Sequence, residues 1–187
     1  MRAFISYSHH DKAALERLHV HLKNLTRGGH IETWYDRDIL AGSDLDAEIE
    51  RELEAADLFL LLVSPDFIAS DYCVEREMAR ALERHATGKA RVVPIIVEEC
   101  DWKAMGELRQ LKAVPTDGKA ISEWANANTA YLNVVQELRR IIDAEGQPAV
   151  AAKAAPEPAA LRPSLPRYRA KRQFDQIDRA EFRDAAF

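Results

Sequence analysis

The residues able to do chemistry gather in four short stretches. Ser6-Tyr7-Ser8-His9-His10-Asp11 sets hydroxyls, imidazoles and a carboxylate in a row. Asp36-Arg37-Asp38 opens a run through Ile39, Leu40, Ala41, Gly42 and Ser43. Ser64, Asp66 and Ser70 lead to a pair of glutamates, Glu75 and Glu77. Glu98-Glu99-Cys100-Asp101-Trp102 is the fourth. Histidines of this kind can move protons, carboxylates can stabilise cationic charge, and an arginine can hold an anion. Several common arrangements are missing from the sequence. It has no Gly-x-Gly-x-x-Gly and no Gly-Lys-Ser/Thr, so no phosphate cradle of either type is expected. No Gly-x-Ser-x-Gly elbow supports a serine hydrolase. Cys73 and Cys100 make no disulfide framework, and without Cys-x-x-Cys or His-x-x-x-His no metal site is expected.

These stretches must be positioned by a scaffold, and the 187 residues suffice for one α/β domain with an appendage. Apolar residues make up 47% and charged residues 30%, enough for a packed core. The net charge of −5 argues against a chain that mainly binds nucleic acid. No apolar run spans a membrane and the N-terminus has no signal-peptide layout, so a cytoplasmic protein is expected. Residues 1–146 carry 18 Lys/Arg against 26 Asp/Glu, a net of −8, while residues 147–187 carry 8 against 5, a net of +3. The two parts meet in a low-complexity linker, 147–166, in which seven of twenty residues are Ala and five are Pro. Residues 167–187 read as the start of a C-terminal region or a docking helix, with Phe174, Ile177, Phe182 and Ala186 at helical spacing. That helix is expected to be truncated at the end of the chain.

Within 1–146, apolar strands alternate with helical periods. Strands are expected at 3–7, 31–35, 57–63 and 91–97, with a weak fifth near Ala113-Val114. Helices are expected at 11–27, 44–56, 71–86 and 128–145, the last with Leu132, Val135, Leu138 and Ile142 on its buried face. Asp11 is expected to cap the first helix and Gly28-Gly29 to stop it. Strands alternating with helices predict a flavodoxin-like three-layer sandwich: a five-stranded parallel sheet with helices on both faces. Ligands in such sheets bind beyond the carboxyl ends of the strands, where the four chemical stretches fall. A response-regulator receiver would need an acidic pair after the first strand and an aspartate ending the third; here Ser6-Tyr7 and Val63-Ser64 stand there.

The boxes themselves resemble a known family. Phe4-Ile5-Ser6-Tyr7-Ser8 with Asp11, Trp34-Tyr35-Asp36 leading to Leu40-Ala41-Gly42-Ser43, Phe59 to Ser64 followed by Phe67, Ser70 and Tyr72-Cys73, and Val92 to Ile96 with Asp101-Trp102 are similar to the boxes of bacterial Toll/interleukin-1 receptor (TIR) domains. They fall in the family's order and cover 1–146; the tail lies outside the resemblance. Some TIR domains are scaffolds that bind other TIR domains. Others cleave NAD+ at the nicotinamide–ribose bond, giving nicotinamide with ADP-ribose or a cyclic isomer, and need a glutamate on the third helix. The resemblance therefore implies an NAD+ hydrolase with NAD+ as substrate and no cofactor, in an anti-phage defence or toxin system. The alternatives are a non-catalytic interaction module and a nucleoside deoxyribosyltransferase-like enzyme.

The family's spacing after Tyr72-Cys73 would put the glutamate at position 76, which is Arg76. Glu77-Met78-Ala79-Arg80-Ala81-Leu82 matches the family's run beyond the glutamate, so Glu77 is the expected catalytic residue and Glu75 the runner-up. Both also suit an ordinary helix N-terminus. By the same resemblance Tyr7, Ser8, His9, Asp36, Arg37 and Trp102 are expected to bind substrate. Packing remains open for Tyr7 and Trp102, and plain surface roles for His9 and Arg37. Trp34 and Trp124 read as packing residues. Ile39, Leu40 and Gly42 are expected to form a loop for head-to-tail self-association, with Ile39 and Leu40 folded back on the core as the other reading.

Overall fold

The computed structural model describes residues 1–35 and 45–146. Strand β1 (Arg2–Ser6), helix α1 (Lys12–Arg27), strand β2 (Glu32–Trp34), helix α2 (Leu45–Ala55), strand β3 (Leu58–Val63) and the short helix α3 (Pro65–Ile68) follow one another. A π-helical turn, Tyr72–Met78, then runs directly into α4 (Ala79–Ala86). Strand β4 (Arg91–Ile96) and helix α5 (Ala127–Gly146) complete the set, with short turns between them. All strand pairs are parallel, in the order β2-β1-β3-β4.

The alternation of side chains along each strand builds a core on both faces of the sheet. Leu58, Leu60 and Leu62 of β3 join Ala3, Ile5, Val93 and Ile95 on one face. Phe59, Leu61 and Val63 join Phe4, Val92 and Ile96 on the other. Helix α1 covers the first face with Leu15, Leu18, Leu22 and Leu25, and α5 with Ala130, Tyr131, Val134, Val135 and Leu138. Helices α2 and α4 cover the second face with Ile49, Leu53, Ala81 and Leu82. Each fully buried leucine contributes roughly 1.5–3 kcal/mol. The apolar run of β3 is thus explained: it is a central strand with both faces covered.

Three expectations are corrected. The fifth strand is a single bridge, Ile95 to Val114. Val114 N–H donates to the Pro94 carbonyl and Ile96 N–H to the Val114 carbonyl. The ladder cannot extend backward, because Pro94 has no N–H to offer on that edge. It does not extend forward, because Thr116 N–H donates to Asn133 Oδ1 instead. The sheet therefore has four strands among the described residues. Next, Leu132 is 51% exposed; Val135 and Leu138 of the expected face are buried, and Ala130, Tyr131 and Val134 join them in place of Leu132. The third correction is that the expected continuous helix 71–86 is two pieces, the π-helical turn and α4.

Candidate functional site

Strand order locates the site. The chain passes from β1 outward to β2, then returns across β1 to β3. The switch therefore lies between β1 and β3, and loops diverging from their carboxyl ends leave a crevice there. A cavity of about 460 Å³ occupies that place. Among the described residues, Tyr7, Ser8, His9 and His10 line it from the turn after β1. Asp66, Ala69 and Ser70 line it from the segment after β3, and Tyr72, Cys73 and Glu77 from the π-helical turn. Ile5 and Ile49 complete the lining. No lysine or arginine is among these residues. The size suits a small organic ligand or one end of a larger one.

Local bonds hold the walls. Ser8 Oγ accepts from His10 N–H, setting the turn His9–Asp11. Asp11 begins α1 as expected, yet its side chain makes no cap bond. It is buried and accepts instead from Ser64 Oγ at 2.5 Å, while Ser64 Oγ accepts from Phe67 N–H and so caps α3. This clip ties the loop after β1 to the loop after β3. Burial raises the Asp11 carboxyl above its ordinary value, and the carboxylates of Asp66 and Glu98 add to the rise; the Ser64 hydroxyl and His10 oppose it. Cys73 Sγ donates to the Tyr7 carbonyl at 3.5 Å, fastening the π-helical turn to β1. The Tyr7 and His9 rings meet edge to face, 6.0 Å between centroids.

Glu77 is 6% exposed and lies in the cleft wall, and Ser6 Oγ donates to its Oε2 at 2.5 Å. Glu75 is exposed and does not line the cleft. The one-residue offset from the family's spacing has a structural counterpart. Ala79 N–H reaches the Val74 carbonyl, five residues back, as well as that of Arg76. A π-helical turn is how a helix accommodates one extra residue. The π-helical turn lies between Cys73 and Ala79, and residue 77, not 76, lines the cleft. Arg76 instead points outward and pairs with Asp46 of α2 at 2.9 Å. Arg80 and Arg84 pair with Glu54, binding α4 to α2.

Tyr7, Ser8 and His9 are thus brought together with Glu77; Tyr7 also packs in the core beneath. Trp102 is not brought to the cleft. It is 8% exposed and packs with Leu108, Ala113 and Ala120 on the α2/α4 face of the sheet. Trp34 and Trp124 pack against the two core faces. Asp36, Arg37, Ile39, Leu40 and Gly42 lie outside the described residues. Sequence reasoning placed Ser6, His10, Asp66 and Ser70 in the chemical stretches without assigning them a role, and gave none to Tyr72 and Cys73. For Ser6 a signal existed: it alternates with Phe4, so it must face the side of the sheet that carries Glu77.

A sequence model of the TIR domain matches residues 3–132. The chain belongs to the TIR domain family. It is 43% identical over 194 residues to an uncharacterised Sinorhizobium fredii protein, y4lF, and covers 60% of that protein's length while 98% of this chain is matched. The TIR domain of the Toll-related receptor TRR-2 from Hydra magnipapillata has the same fold, with a TM-score of 0.50, 20% identity, and coverage of 75% of this chain and 97% of that one. Among the described residues, no helix is long and apolar enough to cross a membrane.

Proposed function

We propose that this TIR domain is an NAD+ glycohydrolase with Glu77 as its catalytic carboxylate. The reading rests on one observation above all: a buried glutamate, held by a hydroxyl, in a 460 Å³ cleft at the switch of strand order. In the reaction the C1′–N bond breaks, and its electron pair neutralises the pyridinium ring. Nicotinamide leaves uncharged, so no acid need protonate it. The ribose is left oxocarbenium-like, as in glycoside cleavage, and an anionic carboxylate beside it stabilises that charge. Water then adds to C1′ and loses a proton, giving ADP-ribose; attack by a group of the adenine gives a cyclic isomer. The lining suits the cationic end of the substrate. It offers Asp66 and Glu77, the aromatic rings of Tyr7 and Tyr72, and no lysine or arginine among the described residues. By the family resemblance, Arg37 is proposed to hold the pyrophosphate. NAD+ is consumed and no cofactor takes part.

The test is cleavage of a fluorescent NAD+ analogue by the full chain. Glu77→Gln keeps the size and the acceptor oxygen but removes the charge, and is expected to lose roughly 10²-fold or more in kcat, the scale for one transition-state contact. Glu75→Gln is expected to keep full activity. Equal activity in wild type and Glu77→Gln sinks the reading. Association with other TIR domains through Ile39, Leu40 and Gly42 belongs to the same proposal, in a cytoplasmic defence or toxin role. Specific activity should rise with protein concentration, and a constant value over a hundredfold dilution would exclude it.

A further inference from the structure

Ser6 ends β1, is 1% exposed, and does not line the cleft among the described residues. Its hydroxyl nevertheless meets Glu77 Oε2 at 2.5 Å, across 71 positions of sequence. The donor stands on a strand paired on both sides, with Ser6 opposite Leu61 of β3, and reaches out through a single rotatable bond. A carboxylate 6% exposed has lost most of its hydration, which favours the neutral acid unless a donor compensates. An O–H bond to an ionised oxygen is the strong, short kind, and it also fixes which way the carboxylate is turned. We propose that Ser6 is the positioning residue that keeps Glu77 ionised and aimed into the cleft. The proposal rests on Glu77 being the catalytic carboxylate. Ser6 acts through Glu77 and touches no substrate. Other titratable groups facing this part of the cleft are Tyr7, His9 and His10 after β1, Asp66 from α3, and Tyr72 and Cys73 from the π-helical turn.

The experiment compares the full-length wild type with Ser6→Ala, Ser6→Thr and Ser6→Cys. Two readouts are taken: the Glu77 carboxyl titration by carbon-13 NMR, assigned with Glu77→Gln, and the pH profile of NAD+ cleavage. Loss of the donor should move the Glu77 titration and the acid limb of kcat to higher pH by about one unit. At pH values below both limbs kcat should fall about tenfold with KM unchanged, and the difference should shrink as the pH rises above them. Thr, which restores a hydroxyl, should recover both, and Cys, a weak donor, should lie between. Unchanged titration and profile in a folded Ser6→Ala protein overturns the proposal. So does a Thr variant no better than Ala. The two readings fail separately. A wild type that cleaves no NAD+ overturns the catalytic reading, whereas the NMR titration judges the Ser6–Glu77 coupling without any turnover.

Discussion

Replacing Gly118 with alanine asks where Trp102 belongs. Gly118 has φ +67°, and a Cβ there would stand 2.6 Å from Trp102 Cζ2 and 3.4 Å from Ala113 Cβ. A left-handed backbone costs a residue with a Cβ roughly 1–2 kcal/mol. A carbon pair at 2.6 Å is about 1 Å inside its best separation, so the indole must shift within a closed core. Overpacking of that kind costs about 1–3 kcal/mol. The sum is about 2–5 kcal/mol. At roughly 2–4 °C per kcal/mol for a domain of this size, Tm should fall by about 4–20 °C. Thermal unfolding of the full chain, followed by circular dichroism and indole fluorescence, reads the shift. KM for NAD+ in the folded variant should not change, because Trp102 lies in the core and not in the cleft. A Tm within 2 °C of wild type, or a KM several times higher at unchanged Tm, would place the indole elsewhere and refute the reasoning.

Two other outcomes follow from the packing and the charges. Burial raises the Asp11 carboxyl above its ordinary 3.8, so the fold favours the protonated form; its contribution is full below that value and is lost as pH rises through the raised one. Asp11→Asn keeps an acceptor for Ser64 and should abolish that loss, being at least as stable as wild type at pH 7. Denaturant midpoints at pH 4 and pH 7 check this, and a variant weakened more at pH 7 than at pH 4 refutes it. Leu132→Ala, at a 51% exposed position, should change stability by no more than about 0.5 kcal/mol, whereas Leu138→Ala, fully buried, should cost about 2–5 kcal/mol in the same unfolding measurement.

Most of the scaffold was legible because its signals are periodic. Leu15, Leu18, Leu22 and Leu25 repeat at helical spacing, and all four are buried. Leu58 to Val63 is apolar without interruption and forms the strand covered on both sides. The misreadings have local causes. Leu132 shares helical spacing with Val135 and Leu138, yet from its turn it is Ala130 and Tyr131 that pack in the core. The fifth strand failed on Pro94, a signal present in the sequence but read only as part of a strand. Trp102 packs inward against Gly118, sixteen positions away, a contact no local pattern reveals. At the site, the loops were found from strand ends, and Glu77 from the run that follows it. Ser6 and Asp11 needed pairing across the sheet to be seen, since each acquires its partner from a distant segment.

The wide turn between Tyr72 and Met78 has a consequence for phase. Tyr72 and Glu77 both line the cleft although they stand five positions apart. In an α-helix five residues advance about 500°, which leaves the two side chains about 140° out of step. Closing the turn five residues back sets them nearly one above the other. The aromatic wall and the carboxylate are therefore a single column, in step only while the extra residue is present. Removing one residue between Cys73 and Glu77 would leave α4 seated on its own buried contacts, Ala81 and Leu82. The column would come apart at its upper end: Tyr72 would swing away from the crevice and Cys73 would lose its hold on the Tyr7 carbonyl. The π-helical turn that carries Glu77 is thus the same one that lets an aromatic ring share its side of the helix.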